Sequence, residues 1–191
     1  MICGLYVDDL ITATNSAAKK ADVKQHLETR YEMHGMKECE WILGMRITRD
    51  RKNKIITLDQ EQYTKDILEE YGMLECRVAT TPASMEPLSL NMSPQTEAER
   101  AEMKDVPYMQ AVGALNFLAS STRPDISAAV SNVSRFMANP GPKHWQAVKR
   151  IFRYLKGNQR GLRFDGKQEL RLEGWCDADF AGDVDRSTSR T

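Results

Sequence analysis

Two adjacent carboxylates, Asp8 and Asp9, follow the apolar run 1–7 and precede Leu10, Ile11 and Thr12. Strand-favouring residues on both sides of an acidic pair predict a hairpin with the carboxylates at its tip. Hard oxygen ligands held on a rigid turn suit Mg2+. Two such ions about 4 Å apart can activate an attacking 3′-oxygen and stabilise a leaving pyrophosphate. The stretch Tyr6-Val7-Asp8-Asp9 equally fits an ordinary acidic turn, so the pair by itself leaves both readings open.

A second candidate chemistry is cationic. Between Lys143 and Arg163 stand seven Lys or Arg residues and no acid. On a helix over residues 144–156, Lys149, Arg153 and Lys156 fall at spacings of four and three, hence on one face, with Arg150 beside them. Trp145, Val148, Ile151, Phe152 and Leu155 occupy the other side. Such a helix can pack on a core and offer charges to phosphates, or its polar face can simply be solvated. A membrane-surface helix fits less well, because this one sits between others in mid-chain. Asp177, Asp179, Asp183 and Asp185 form an acidic cluster whose spacing does not match a Ca2+ loop.

The elements that must position these groups can be read from periodicity. After the hairpin, Asn15 and Ser16 offer an N-cap for a helix over about residues 17–31, with Val23, Leu27 and Tyr31 on one stripe. Cys39, Trp41, Leu43 and Met45 alternate with Glu40, Ile42, Gly44 and Arg46, which predicts a strand. Residues 54–57 can pair back across the polar turn 50–53. Residues 59–62 resemble a capping box, and Tyr63, Ile67, Leu68 and Tyr71 form the apolar face of the following helix, which Gly72 stops. Residues 77–107 hold prolines 82, 87 and 107 and show little periodicity, so they are the best linker candidate. Three helices should follow. One covers 108–119 with Ala111, Val112, Leu115 and Leu118 inward. Another opens at Pro124 and repeats Ile126, Ala129, Val130, Val133 and Met137. The third covers 144–156 and ends at Gly157. Residues 161–164 and 170–176 predict a hairpin turning at Asp165-Gly166.

Composition narrows the classes. The 191 residues are 41% apolar and 28% charged, enough for a core and unlike a disordered chain. Lys plus Arg and Asp plus Glu both number 27, which argues against a histone-like binder. The zero conceals segregation. Residues 1–107 carry 14 basic and 19 acidic groups, residues 108–171 carry 11 and 3, and residues 172–191 carry 2 and 5. Acids therefore lie where metals could bind, and bases where phosphates could lie. Cysteines 3, 39, 76 and 176 form no Cys-x-x-Cys pair, and histidines 26, 34 and 144 do not cluster with them. Free thiols in a reduced, intracellular and cytoplasmic protein are expected. No apolar run approaches the roughly 18 residues of a membrane span, and the start lacks the basic front of a signal peptide.

An ordered series of motifs then carries a resemblance over nearly the whole chain. Tyr6-Val7-Asp8-Asp9 resembles the active-site motif of reverse transcriptases. Residues 41–45, 63–68, 71–73, Thr81-Pro82, 112–115, 122–126, Lys149-Arg150, 153–157, 177–183 and 185–189 resemble, in order, the segments that follow it in copia-type LTR retrotransposon Pol polyproteins. The resemblance implies an α+β fold. Residues 1–58 would form a partial palm with the acidic hairpin and a primer-grip-like hairpin, and residues 59–76 the start of the thumb. Residues 77–107 would be the linker, 108–160 the helical thumb and connection, and 161–191 the first hairpin of a ribonuclease H-like domain.

The resemblance also implies roles. Asp8 and Asp9 would be two of three palm carboxylates binding catalytic Mg2+. Tyr6 and Val7 would sit beside the primer terminus. Trp41 would belong to the primer grip, with Gly44 permitting close backbone approach. Lys149, Arg150, Arg153 and Lys156 would lie near the template-primer duplex, and Asp177 would be the first ribonuclease H carboxylate. The implied function is RNA-directed DNA polymerase by two-metal nucleotidyl transfer. Its partners would be an RNA/DNA template-primer, deoxynucleotides and the remainder of the polyprotein, with no membrane. The third palm aspartate would lie upstream of Met1, and Arg190 stands where the family has glycine. The expectation is a truncated or decayed fragment, inactive by itself and poorly soluble through unpaired sheet edges. The alternative is a non-catalytic nucleic-acid-binding module using helix 144–156.

Overall fold

The computed structural model describes residues 1–32, 37–169, 171–176, 178 and 182–189. The core is helical. Helices α2 (Glu61–Glu70), α4 (Tyr108–Ser121), α5 (Ser127–Ser134) and α6 (Pro142–Gly157) pack around one apolar cluster. Leu115, Leu118, Ile126, Phe152 and Leu155 are fully buried there. Burial of side chains this size contributes about 1.5–3 kcal/mol each. The inward residues read from period 3.6 on α4 are buried, as are Ile126, Ala129, Val130 and Val133. Phe136 takes the place expected for Met137, because the chain leaves the α-helix at Ser134 and rotates the next side chain inward. Gly72, with φ +63°, ends α2 as the sequence indicates.

Residues 77–107 are more than a connector. They carry a 3-10 turn at Leu90–Met92 and α3 (Glu97–Met103), which Thr96 and Glu99 start with a reciprocal capping box. The stretch before α3 is a strap along α6. Ala79 N–H donates to Arg153 O, and the Lys156 ammonium donates to Cys76 O. At the start of α6, Gly141 lies so close to Met92 O that a Cβ would overlap it. Leu88 is buried in the core cluster, and Met103 of α3 is buried as well.

The sheet has order β3-β4-β5-β6 and is wholly antiparallel. Its strands are β3 (Trp41–Ile42), β4 (Met45–Asp50), β5 (Ile55–Asp59) and β6 (Leu162–Asp165). The alternation expected through residues 39–46 is interrupted. Leu43 and Gly44 both adopt positive φ, 49° and 75°, and fold Trp41 back onto Arg46. Two consecutive positive φ values are the signature of a tight hairpin turn. β4 then pairs with β5 across the expected polar turn, with Asp50 opposite Ile55.

Two further expectations are corrected. The hairpin of residues 161–164 with 170–176 does not form among the described residues. Instead β6 pairs with β5, Phe164 opposite Ile56, and residues 171–176 are irregular, with Leu172 and Trp175 almost fully exposed. Residues 59–62 make no capping box. Asp59 ends β5, Gln60 caps α2, and only the Asp59 carboxylate reaches the Glu61 N–H.

The N-terminal part is built differently. Strands β1 (Ile2–Tyr6) and β2 (Asp9–Ala13) pair with each other alone. Helix α1 (Ala17–Glu28) starts at Ser16, whose hydroxyl accepts from Lys19 N–H, and it buries no residue. It stops three residues before Tyr31, which is exposed. The mixed helices and antiparallel strands make the fold α+β. All four cysteines are free thiols, and among the described residues no helix is long and apolar enough to cross a membrane.

Candidate functional site

The register Tyr6 opposite Asp9 leaves Val7 and Asp8 as a two-residue turn. Val7 has φ +53°, and it is the only one of the two with positive φ. That is the geometry of a hairpin turn whose first central position normally holds glycine. For a β-branched residue the position is strained by about 1–3 kcal/mol. Such strain persists where surroundings fix it, and it clusters at active sites. Tyr6, Val7, Asp8 and Asp9 are all exposed. Asp8 sits in the turn and Asp9 opens β2, so the two carboxylates leave the tip from successive residues.

Their oxygens suit a hard cation. Among the described residues, however, no group of three or more His, Cys, Asp or Glu is arranged to hold a metal. Asp8 and Asp9 thus fit Mg2+ in donor type, as a pair of carboxylates.

Trp41 and Gly44 sit on the other hairpin. Trp41 is exposed and lines an open cleft of about 680 Å³ with Cys39, Glu40 and residues 46–51, a cleft that includes neither Asp8 nor Asp9. Gly44 lies against the Phe117 ring of α4, 3.6 Å from where a Cβ would stand. Phe117 in turn meets Tyr63 edge to face. The Leu43-Gly44 turn therefore lies against the half-exposed Phe117 ring on the outer side of α4. Arg46 is anchored by Asp59 at 3.2 Å and Glu61 at 2.7 Å. The base of the acidic hairpin, residues 12–14, shares a cleft with residues 49–51 and 54–56.

The four cations named on α6 divide. The Lys156 ammonium is tied to Cys76 O at 2.9 Å, and Lys149 lies over the Trp145 ring. Arg150 donates from Nη2 to Thr81 Oγ1 at 2.8 Å. Arg153 is exposed, with no ion pair among the described residues. Lys143, six residues before Lys149, faces Glu86. Asp177 lies outside the described residues.

The structure adds polar groups that spacing alone did not single out. Arg123 and Asp125 pair at 2.8 Å beneath Tyr154, whose hydroxyl donates to the same carboxylate. Burial raises the Asp125 carboxyl, but the hydrogen bonds from Arg123 and Tyr154 outweigh it and hold the group below the usual carboxylate range. His144 is fully buried and stacked on Phe136. Its Nδ1 accepts from Gly141 N–H at 2.9 Å, which leaves Nε2–H to donate to Ser89 O at 3.1 Å. Burial lowers its pKa, against the opposing pull of the Ser89 carbonyl and Asp185. Arg135 meets Asp183 and Asp185, and Asp185 also accepts from Leu90 N–H. The cluster at the end of the chain thus pairs with the helical body. A basic residue at position 135 facing an acidic run is visible in sequence, but nothing local indicates that they meet.

Comparison with known proteins supplies context. The family model described as reverse transcriptase (RNA-dependent DNA polymerase) matches residues 1–85. The retrovirus-related Pol polyprotein from transposon TNT 1-94 of Nicotiana tabacum is 40% identical over 188 residues, 98% of this chain and 14% of that protein. The secreted RxLR effector protein 161 of Plasmopara viticola is 52% identical over 90 residues, 46% of this chain and 63% of that protein. An uncharacterized mitochondrial protein of Arabidopsis thaliana is 33% identical over 188 residues, 98% of this chain and 75% of that protein. The chain therefore spans about one seventh of the tobacco Pol polyprotein it matches. No solved structure matches it.

Proposed function

Because the chain belongs to the reverse-transcriptase family of copia-type retrotransposon Pol polyproteins, we propose that it serves RNA-directed DNA synthesis as one part of such a polyprotein. The observation that carries this reading is the hairpin tip. Asp8 and Asp9 are adjacent, exposed and preceded by a β-branched residue held at positive φ. In this reading the Asp8 and Asp9 carboxylates would hold Mg2+, which when bound would supply Lewis-acid activation of the primer 3′-oxygen and charge neutralisation at the incoming deoxynucleotide. Tyr6 and Val7 flank the primer terminus. The Trp41 hairpin, whose Gly44 lies against Phe117 of α4, supports the primer strand. The helical body is thumb and connection, and Asp177 belongs to a ribonuclease H site.

Two carboxylates leave the ligand set short, so the purified chain is expected to be inactive alone and to need the rest of the polyprotein. The test is primer extension on an RNA template with Mg2+. A longer Pol chain that includes the preceding palm is expected to incorporate deoxynucleotides. Asp8→Asn or Asp9→Asn should reduce the rate by at least about 100-fold, the scale of a mispositioned reacting group. Undiminished extension by either variant overturns the reading.

A second reading, a non-catalytic nucleic-acid-binding module on helix 144–156, is favoured by the exposed Arg153, which has no ion pair among the described residues. Lys149 and Lys156 favour it less, since both are engaged within the chain.

A further inference from the structure

Strand β6 leaves the sheet with an open edge. Ile47 N–H donates to Glu40 O between β4 and β3, and Gly166 N–H donates to Lys54 O just beyond the paired part of β5 and β6. With the strand registers, these bonds fix the phase of the whole ladder. Opposed residues of an antiparallel pair alternate between exchanging both backbone bonds and exchanging none. Leu162 and Phe164 therefore direct their N–H and C=O groups to β5, while those of Arg163 and Asp165 point away from the sheet. No strand pairs with β6 on that side among the described residues. Asp165 O accepts a long bond from Gln168 N–H there, at 3.4 Å.

The side chains of this edge are complementary to themselves. Phe164 lies opposite Ile56 on one face of the sheet, and the two are 54% and 40% exposed. Arg163 and Asp165 stand on the other face with opposite charges. Their contact within one strand is 3.4 Å long and exposed on the arginine side, so it contributes little. If a second β6 runs antiparallel with the two Phe164 side chains facing each other, Arg163 of each copy faces Asp165 of the other. Those are the positions whose backbone groups are free to exchange. The phenylalanine pair falls at the non-hydrogen-bonded position, where Cα atoms approach to about 4.5 Å and side chains meet. Centring the pair on Arg163 or on Asp165 opposes like charges. Centring it between residues opposes an outward backbone group to an inward one. Residues 171–176 are another strand candidate, but they are irregular, and Arg171 and Glu173 pair with each other at 3.4 Å. Laying them on the edge costs the ordering of a segment, whereas a second β6 is already formed.

We propose that the β6 edge is a self-association surface on which two copies of this chain join their sheets, with Phe164 on the twofold axis and an Arg163–Asp165 pair on each side of it. The contact is isologous and closes on itself. A four-residue strand makes a small interface, so dissociation is on the order of 10 μM or weaker. It needs neither metal nor nucleic acid and is independent of the polymerase reading.

Sedimentation equilibrium of the 191-residue chain tests this, together with cysteine crosslinking. A reversible monomer–dimer equilibrium is expected. Arg163→Glu and Asp165→Lys each oppose like charges in their own dimers and should each associate about tenfold more weakly. Mixed together they should associate as the parent chain does, because both flanking pairs become opposite in sign. With the four free cysteines changed to serine, Phe164→Cys should form an intermolecular disulfide on mild oxidation. Arg163→Cys, diagonal to its own copy, should not, because the sulfurs stand out of bonding range. A chain that stays monomeric at about ten times the expected dissociation constant overturns the proposal. So does the absence of the Phe164→Cys crosslink, equal crosslinking by Arg163→Cys, or a mixture that associates no better than its components. Protection of residues 171–176 from amide exchange in a monomer also overturns it, because the chain's own segment would then cover β6.

Discussion

Strands β1 and β2 with helix α1 bury no residue, whereas α4 and α6 each bury six. The first region carries the most specific motif in the chain and the second carries its mechanical stability. A two-stranded hairpin is marginal by itself, and a reactive constellation must be held within a fraction of an ångström. In this chain the acidic tip has the local geometry of a site without packing to fix it. The helical body has the packing, and it uses much of its polar inventory to hold itself together. Of the four α6 cations expected to face nucleic acid, three contact the chain itself. Motif strength and structural support are therefore separate properties.

Substitutions can break or sharpen this contrast. The largest expected effect is Phe152→Ala, which empties a fully buried position stacked on Tyr71. It should cost about 3–5 kcal/mol in urea unfolding. If the loss is below 1 kcal/mol on the scale of surface changes, the body is not the stable unit. Next is Gly141→Ala. Its Cβ meets the Met92 backbone carbonyl, and prising the strap from α6 should cost about 1–3 kcal/mol in the same assay, the range of overpacking.

The third effect depends on pH. Burial depresses the His144 pKa below its ordinary 6.5, so the unfolded chain binds the proton more readily. Its contribution to stability is complete above that ordinary value and is lost as pH falls below it. Protonation would place a donor at Nδ1 facing the Gly141 N–H. The unfolding free energy should fall on acidification from neutral pH by at most about 1.4 kcal/mol per pH unit, and His144→Asn should flatten that slope. An unaltered slope in the variant removes His144 from the account.

The smallest effect belongs to the hairpin. Val7→Gly relieves positive φ where nothing is buried. Global melting should move by less than about 0.5 kcal/mol. Amide exchange in β1 and β2 should slow while staying faster than in α4 and α6. A global shift comparable to that of Phe152→Ala would show that the hairpin and the body unfold as one unit.

Some structure was legible because it is local. The buried stripe of α4 follows from a 3.6-residue period, and the two carboxylates at the first turn follow from strand-favouring residues around them. Side-chain alternation did not mark the Leu43-Gly44 turn, because it continues across it and leucine gives no warning of φ +49°; only the resemblance implied a hairpin there. The capping box at 59–62 failed because Asp59 is taken by β5 and by Arg46.

By itself the sequence determined the acidic tip and the apolar faces of the main helices, since each depends on residue type and spacing over a few turns of chain; the family and the α+β class followed from a resemblance spread over nearly the whole chain. Tertiary structure alone decided that β6 completes the sheet beside β5, about a hundred residues away, and that residues 77–92 lie along α6. It also decided which α6 cations are engaged within the chain. These outcomes are set by backbone donors and charges finding partners across long loops, and no local pattern encodes which partner is reached.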